Sequence, residues 1–159
     1  MIVVDSSAVI AIFRQEDDAV HFAQRIAADA DPIMSAANVV ETSIVLRGLK
    51  KISSDKAERW LDDFIEAAGI RIEPVTPEQS RAARSAHLRF GKGTGHRAGL
   101  NYGDCFAYGL AKEMKVPLLC KGKDFPLTDI GGGFNRSLQH ILRTSQLASD
   151  RARSFSAFH

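Results

Sequence analysis

Three carboxylates stand where the surrounding pattern calls for apolar or uncharged residues, and a fourth is expected after the last strand. Asp5 closes the run Ile2-Val3-Val4, and Glu41 sits among Ala37, Ile44 and Val45 at helical spacing. Asp104 opens the otherwise apolar Gly103–Ala111, and Asp124 follows Pro117-Leu118-Leu119-Cys120. An unpaired carboxylate facing a core or cleft is costly, so such acids call for a cation or strong donors. Isolated carboxylates without His or Cys beside them suit a hard, oxygen-seeking ion, Mg²⁺ or Mn²⁺ rather than zinc. An ion so held activates water and stabilises charge on a phosphate undergoing in-line displacement.

Each acid also has a plainer role open to it. Asp5 would serve as a turn or cap residue, although Ser6 and Ser7 already offer a cap. Glu41 would snorkel from a helix flank, and Asp104 would complement a helix N-terminus that Asn101 is placed to cap. After the last strand, Asp129 competes with Asp124 for the fourth position. Asp62, Asp63 and Glu66, by contrast, share a helix with Arg59 and read as a solvated face.

Other chemistries find no support. The five histidines form no HxH or HxxxH pair, and Cys105 and Cys120 have no zinc spacing and read as buried thiols. The stretch GKGTG follows a helix and lacks the GxxxxGK[ST] of a phosphate loop; GxGxxG and GxSxG are also missing. The net charge of +2 is uninformative, but its distribution is not. Gln79 to Gly103 contains Arg81, Arg84, Arg89, Lys92 and Arg97 and no acid. Either a solvated face or contact with a nucleic-acid backbone explains that bias. The N-terminus lacks a basic, apolar leader and no apolar run is long enough to span a bilayer, so the expectation is a cytoplasmic protein without a membrane partner.

The elements that must position these acids follow from periodicity. With 159 residues, one domain with a substantial core is expected. Strands are expected at 1–4, 32–34, 70–75 and 116–120. Helices are expected from Ser6 or Ser7 to Phe13, from about Glu16 to Asp29, 35–50, 55–68, 78–90 and 101–115. The glycine-rich segment 91–99 reads as a mobile loop. This alternation implies a three-layer α/β/α fold with a mostly parallel central sheet.

The segments IVVDSSAVIA (2–11), SAANVVE (35–41), LNYGDCFAYGLA (100–111) and PLLCKGKDFPLTDI (117–130) resemble PIN-domain ribonucleases, in particular VapC-type toxins of toxin–antitoxin pairs. The resemblance implies a PIN-like nuclease domain over 1–132 and an Mg²⁺-dependent endoribonuclease, with Mn²⁺ able to substitute. By match, Asp5, Glu41 and Asp104 would be metal ligands, and Asp124 would complete or support the catalytic set. Ser6 would orient the first aspartate, with Asn101 and Asp129 also in supporting positions, and Arg81, Arg84, Lys92 and Arg97 would meet RNA. The family further implies a cognate antitoxin and a homodimer. Residues 133–159 form a C-terminal extension of unknown role, in which Leu138, Ile141 and Leu142 would share one helix face. Two other readings are a phospho-accepting receiver-like domain, with Lys121 as its late lysine, and an inactive PIN module that only binds RNA or a partner.

Overall fold

The computed structural model describes residues 1–49 and 52–130. The extension at 133–159 and its expected apolar helix face lie outside the described residues. Within them, four strands form a parallel sheet: β1 (Ile2–Val4), β2 (Pro32–Ser35), β3 (Arg71–Glu73) and β4 (Leu118–Leu119). Their spatial order is β3-β2-β1-β4. Helices α1 (Ser6–Phe13) and α2 (Ala19–Ala27) connect β1 to β2, and α3 (Ala36–Gly48) and α4 (Ser54–Ala67) connect β2 to β3. Helices α5 (Pro77–Phe90) and α6 (Tyr102–Met114) carry the chain from one sheet edge to β4 at the other.

Strand residues alternate between two cores, as the pleat requires. Val3, Ile33 and Leu118 join Ala86, Leu100, Ala107 and Leu110 on the α5–α6 side. Ile2, Val4, Met34 and Leu119 join Val9, Phe22, Leu46 and Leu61 on the α1–α4 side. The expected α/β/α layering is therefore realised, and β1 is buried on both faces. β3 is an edge strand with Arg71 and Ile72 exposed, and it is shorter than the sequence pattern suggested.

Local signals set most helix boundaries. Ser35 caps α3, its Oγ accepting from Ala37 N, and Thr76 caps α5, its Oγ1 accepting from Gln79 N with Pro77 in the first turn. One expectation needs correction. Helix α2 starts at Ala19 rather than near Glu16, because Glu16–Asp18 form the turn out of α1. The glycine-rich segment is tied at both ends: Lys92 N donates to Leu100 O (2.8 Å) and Leu100 N to Phe90 O (2.9 Å). Within it, Thr94 Oγ1 donates to Gly91 O and Ala98 N donates to His96 Nδ1.

Candidate active site

The connections after β1 and before β4 lie on opposite faces of the sheet, so the crevice at the carboxyl ends of these neighbouring strands is the topological switch point. Open α/β sheets bind ligands at such points. Asp5 follows β1 directly, and the segment after β4 brings Asp124 to the same edge. Helix α3 contributes Glu41 and the start of α6 contributes Asp104.

Asp5 is 1 % exposed and has two distinct oxygens. Its Oδ2 caps α1, accepting from Ser7 N (2.9 Å) and from Ser7 Oγ. Its Oδ1 is buried without a partner among the described residues. The sequence suggested Ser6 or Ser7 as the cap; the structure gives that role to Asp5. It also reassigns the residue that orients Asp5. Ser7, not Ser6, holds this carboxylate, and Ser7 Oγ accepts in turn from Lys121 N (2.9 Å), tying the end of β4 to α1.

Ser6 serves Glu41 instead, donating to its Oε2. Asn38, which the sequence reading passed over, completes that support. Fully buried, it directs Nδ2 at Glu41 Oε2 (3.1 Å), Gly103 O (3.1 Å) and Ser6 Oγ (3.3 Å). One amide thus joins α1, α3 and α6. An Asn three residues before an acid, in a helix otherwise free of polar need, was the available signal. Glu41 does not sit on a buried apolar face of α3. The buried stripe of α3 is Asn38, Thr42 and Leu46, whereas Val40 and Ile44 are 59 % and 57 % exposed. Glu41 is half-buried because α6 covers it: a Cβ on Gly103 would overlap its carboxylate.

Asn101 caps α6, and Asp104 takes part in the same cap. The two form a reciprocal capping box, with Asp104 Oδ2 accepting from Asn101 N (2.7 Å) and Asn101 Oδ1 from Asp104 N (2.9 Å). Oδ1 of Asp104 is not part of the box. Asp129, placed by the sequence beside the site, is occupied elsewhere. It accepts from Tyr108 Oη (2.6 Å), Lys112 Nζ (3.0 Å) and Arg89 Nη1 (3.1 Å). Although partial burial opposes it, these partners hold its carboxyl down at about 2. Lys121 likewise pairs with Glu16 (2.5 Å) and Asp18 (2.7 Å) rather than with an acid after β4.

The acids sense one another. Burial pushes the Asp5 carboxyl up to about 7 against the bonds from Ser7, and the charges of Asp104 and Glu41 push the same way. Asp104 rises to about 6, chiefly through burial, with Asn101 opposing and Glu41 and Asp124 adding. Among the described residues, no three such side chains are drawn close enough to enclose an ion as they stand. The donor chemistry nevertheless fits a hard divalent cation: an all-oxygen set, an orphaned buried oxygen on Asp5, and mutual repulsion that a cation would relieve. The nearby thiol of Cys120 is pushed up to about 12 by burial and by the charges of Asp5, Asp104 and Asp124.

Of the proposed RNA contacts, Arg81 and Arg84 lie exposed on α5, where they line a groove against α6, and Lys92 and Arg97 are exposed in the 91–99 turns. No described helix is long and apolar enough to cross a membrane.

Comparison with known proteins places the chain further. The sequence pattern of the PIN domain matches residues 2–131. A VapC ribonuclease of Mycobacterium bovis is 45% identical over 134 residues, spanning 84% of this chain and 98% of that relative. Ribonuclease VapC of Mycolicibacterium smegmatis is 44% identical over 128 residues, 80% of this chain and 96% of the relative. Among solved structures, Mycobacterium tuberculosis VapC20, described as a sarcin-ricin loop cleaving toxin, aligns with a TM-score of 0.62 at 16% identity, covering 79% of this chain and 92% of that one. A toxin–antitoxin complex from Klebsiella pneumoniae aligns with a TM-score of 0.57 at 11% identity, covering 79% and 90%.

Proposed function

The chain belongs to the PIN-domain family, and on that premise we propose that it is the endoribonuclease toxin of a toxin–antitoxin pair, acting through its carboxylate crevice with a divalent cation. The observation that carries this reading is the convergence of Asp5, Glu41, Asp104 and Asp124 at the switch point, with Asp5 Oδ1 buried and unpaired. Asp5, Glu41 and Asp104 would hold Mg²⁺, or Mn²⁺ in its place, and Asp124 supports them from the solvent side. When bound, such an ion supplies Lewis acidity, lowering the pKa of water and neutralising charge on the scissile phosphate.

The chain's own residues do the rest. Ser7 fixes the Asp5 carboxylate through Oδ2 and leaves Oδ1 without a partner among the described residues. Ser6 and Asn38 hold one oxygen of Glu41, and Asn101 holds one of Asp104. Asp5, Glu41 and Asp104 therefore each have one oxygen engaged in support, and the other would serve function. Arg81, Arg84, Lys92 and Arg97 favour approach of a polyanion, which makes RNA binding salt-sensitive.

A cognate antitoxin that silences the toxin would place a basic side chain among these acids, where charge-assisted bonds are strongest. Homodimerisation belongs to the same proposal, supported by Val40 and Ile44 exposed on α3, and the expected compartment is the cytoplasm. A receiver-like phospho-acceptor has no support left, because Lys121 is paired with Glu16 and Asp18. The test is incubation of partner-free protein with total RNA and Mg²⁺, with EDTA, and as Asp104→Asn. Discrete cleavage abolished in both controls supports the proposal. Cleavage that persists in Asp104→Asn, or none with folded protein and Mn²⁺, overturns it.

A further inference from the structure

Beside the carboxylates, helices α5 and α6 enclose an open groove of about 840 Å³ lined by Arg81, Arg84, Leu88, Tyr102 and Phe106 among others. It combines two properties that are seldom found together on a surface. Leu88 and Tyr102 are each 78 % exposed, a high value for residues whose apolar parts gain from burial. The chain around them, from Gln79 to Gly103, contains no acid and five basic residues. Arg81 is paired with Glu78 and Arg89 with Asp129, whereas Arg84 has no ion pair among the described residues.

The Tyr102 ring is set rather than loose. It meets Phe106, one turn further along α6, edge-to-face at 4.9 Å and 73°. Tyr102 also lies in the first turn of α6, two residues before Asp104, and is followed directly by Gly103, which abuts Glu41. Tyr102 thus shares the first turn of α6 with Asp104, although residues two apart on a helix point to different faces.

We infer that this groove is a nucleotide subsite for the substrate, in which an unpaired RNA base stacks on Tyr102 with Leu88 and Phe106 as its apolar walls, and Arg84 meets the adjoining phosphate. The inference rests on the ribonuclease reading and adds where the strand runs and what form of RNA is taken. A base inside a duplex has both faces covered by its neighbours, so only a single-stranded, looped or splayed segment presents a face to a tyrosine. An aromatic platform with a basic flank is the general solution for holding such strands, with little preference among bases. The absence of acid along 79–103 favours a polyanion over an apolar protein segment as occupant.

The test uses the full chain and a labelled single-stranded RNA pool of mixed sequence, with its double-stranded counterpart as competitor. Binding is followed in EDTA and cleavage in Mg²⁺. Tyr102→Ala is expected to weaken binding roughly 5- to 150-fold, the loss of one stacked base, while Tyr102→Phe stays close to the parent. Leu88→Ala, on the opposite helix, should weaken it in the same direction. Arg84→Glu should reduce the slope of log affinity against log salt by about one, one phosphate contact. The duplex should compete poorly.

Unchanged binding by Tyr102→Ala, with the parent chain cleaving RNA, overturns the subsite and leaves the nuclease reading intact. A parent chain that is folded yet neither binds nor cuts the pool overturns both. If Tyr102→Ala and Leu88→Ala convert a dimer to a monomer and each protomer binds RNA as before, the groove is a contact between copies and the subsite is overturned.

Discussion

Gly103 and Glu41 share one small space: the carboxylate of Glu41 lies where the first side-chain atom of any other residue at 103 would be. Asn38 closes the arrangement by donating both to Glu41 Oε2 and to Gly103 O. The position of a functional acid on α3 is thereby set by a missing side chain on α6.

Gly103→Ala is therefore expected to displace the Glu41 carboxylate while sparing the fold, because the overlap is with the far end of a flexible side chain. Misplacement of a reacting group by an ångström costs on the order of a hundredfold in rate. Cleavage should fall by at least tenfold, with a stability loss of about 1–3 kcal/mol as the Glu41 bonds from Ser6 and Asn38 are broken. Full activity in Gly103→Ala would mean that Glu41 is not needed where the structure puts it.

Asn38→Ala removes a buried donor shared by three acceptors. Leaving such groups unsatisfied costs about 1–3 kcal/mol, so both stability and cleavage should drop. Comparison by denaturant midpoint and by initial rate checks this. A rate loss much larger than the stability loss would identify orientation of Glu41 as the main contribution.

Asp5→Asn separates the two duties of that residue. Asparagine caps helices as well as aspartate does, and it removes a buried charge repelled by Asp104 and Glu41. The metal-free variant should be at least as stable as the parent and inactive toward RNA. Asp5→Ala, which loses the cap as well, should be destabilised by about 1 kcal/mol.

The acids also fix how the metal-free protein responds to pH. Asp5 rises from 3.8 to about 7 and Asp104 to about 6. Between roughly pH 4 and 7 the native chain retains protons that the unfolded chain has released, so stability falls as pH rises through that window. Asp129 works in the opposite sense, since its carboxyl is held at about 2 and its contribution is lost as pH falls from about 4 toward 2. Thermal melts in EDTA should show highest stability near the lower end of the window. Mg²⁺ added above pH 7 should restore stability by binding the ionised acids. A profile flat from pH 4 to 7 would contradict the burial of Asp5.

Tyr108→Phe should cost about 1 kcal/mol, the hydrogen bond to Asp129, with cleavage unaffected. This variant distinguishes the Asp129 cluster, which pins the end of the chain's described part to α6 and α5, from the crevice. Loss of cleavage without loss of stability would return Asp129 to the active site.

The layered parallel sheet could be inferred from residue order because β-branched strands and capped amphipathic helices are local features, each signalled within a few residues. Asp5, Glu41 and Asp104 stood out for the same reason, as charges set in apolar runs. What each acid touches was not local. Ser6 and Ser7 are equivalent in sequence, yet one serves Glu41 across the α1–α3 contact and the other Asp5. The choice between Asp124 and Asp129 also depended on distant residues, because Tyr108, Lys112 and Arg89 lie far from 129 in sequence and engage it. Likewise α3 buries Asn38 and Thr42 while exposing Val40 and Ile44, an inversion of hydropathy that no periodicity would suggest. By itself the sequence determined the elements, their order and the acids available, since strands, caps and helix faces depend on neighbours along the chain. Only the tertiary structure decided which oxygen of each acid is engaged and which is left to the crevice, because hydrogen bonds and buried charges are settled between elements that meet only on folding.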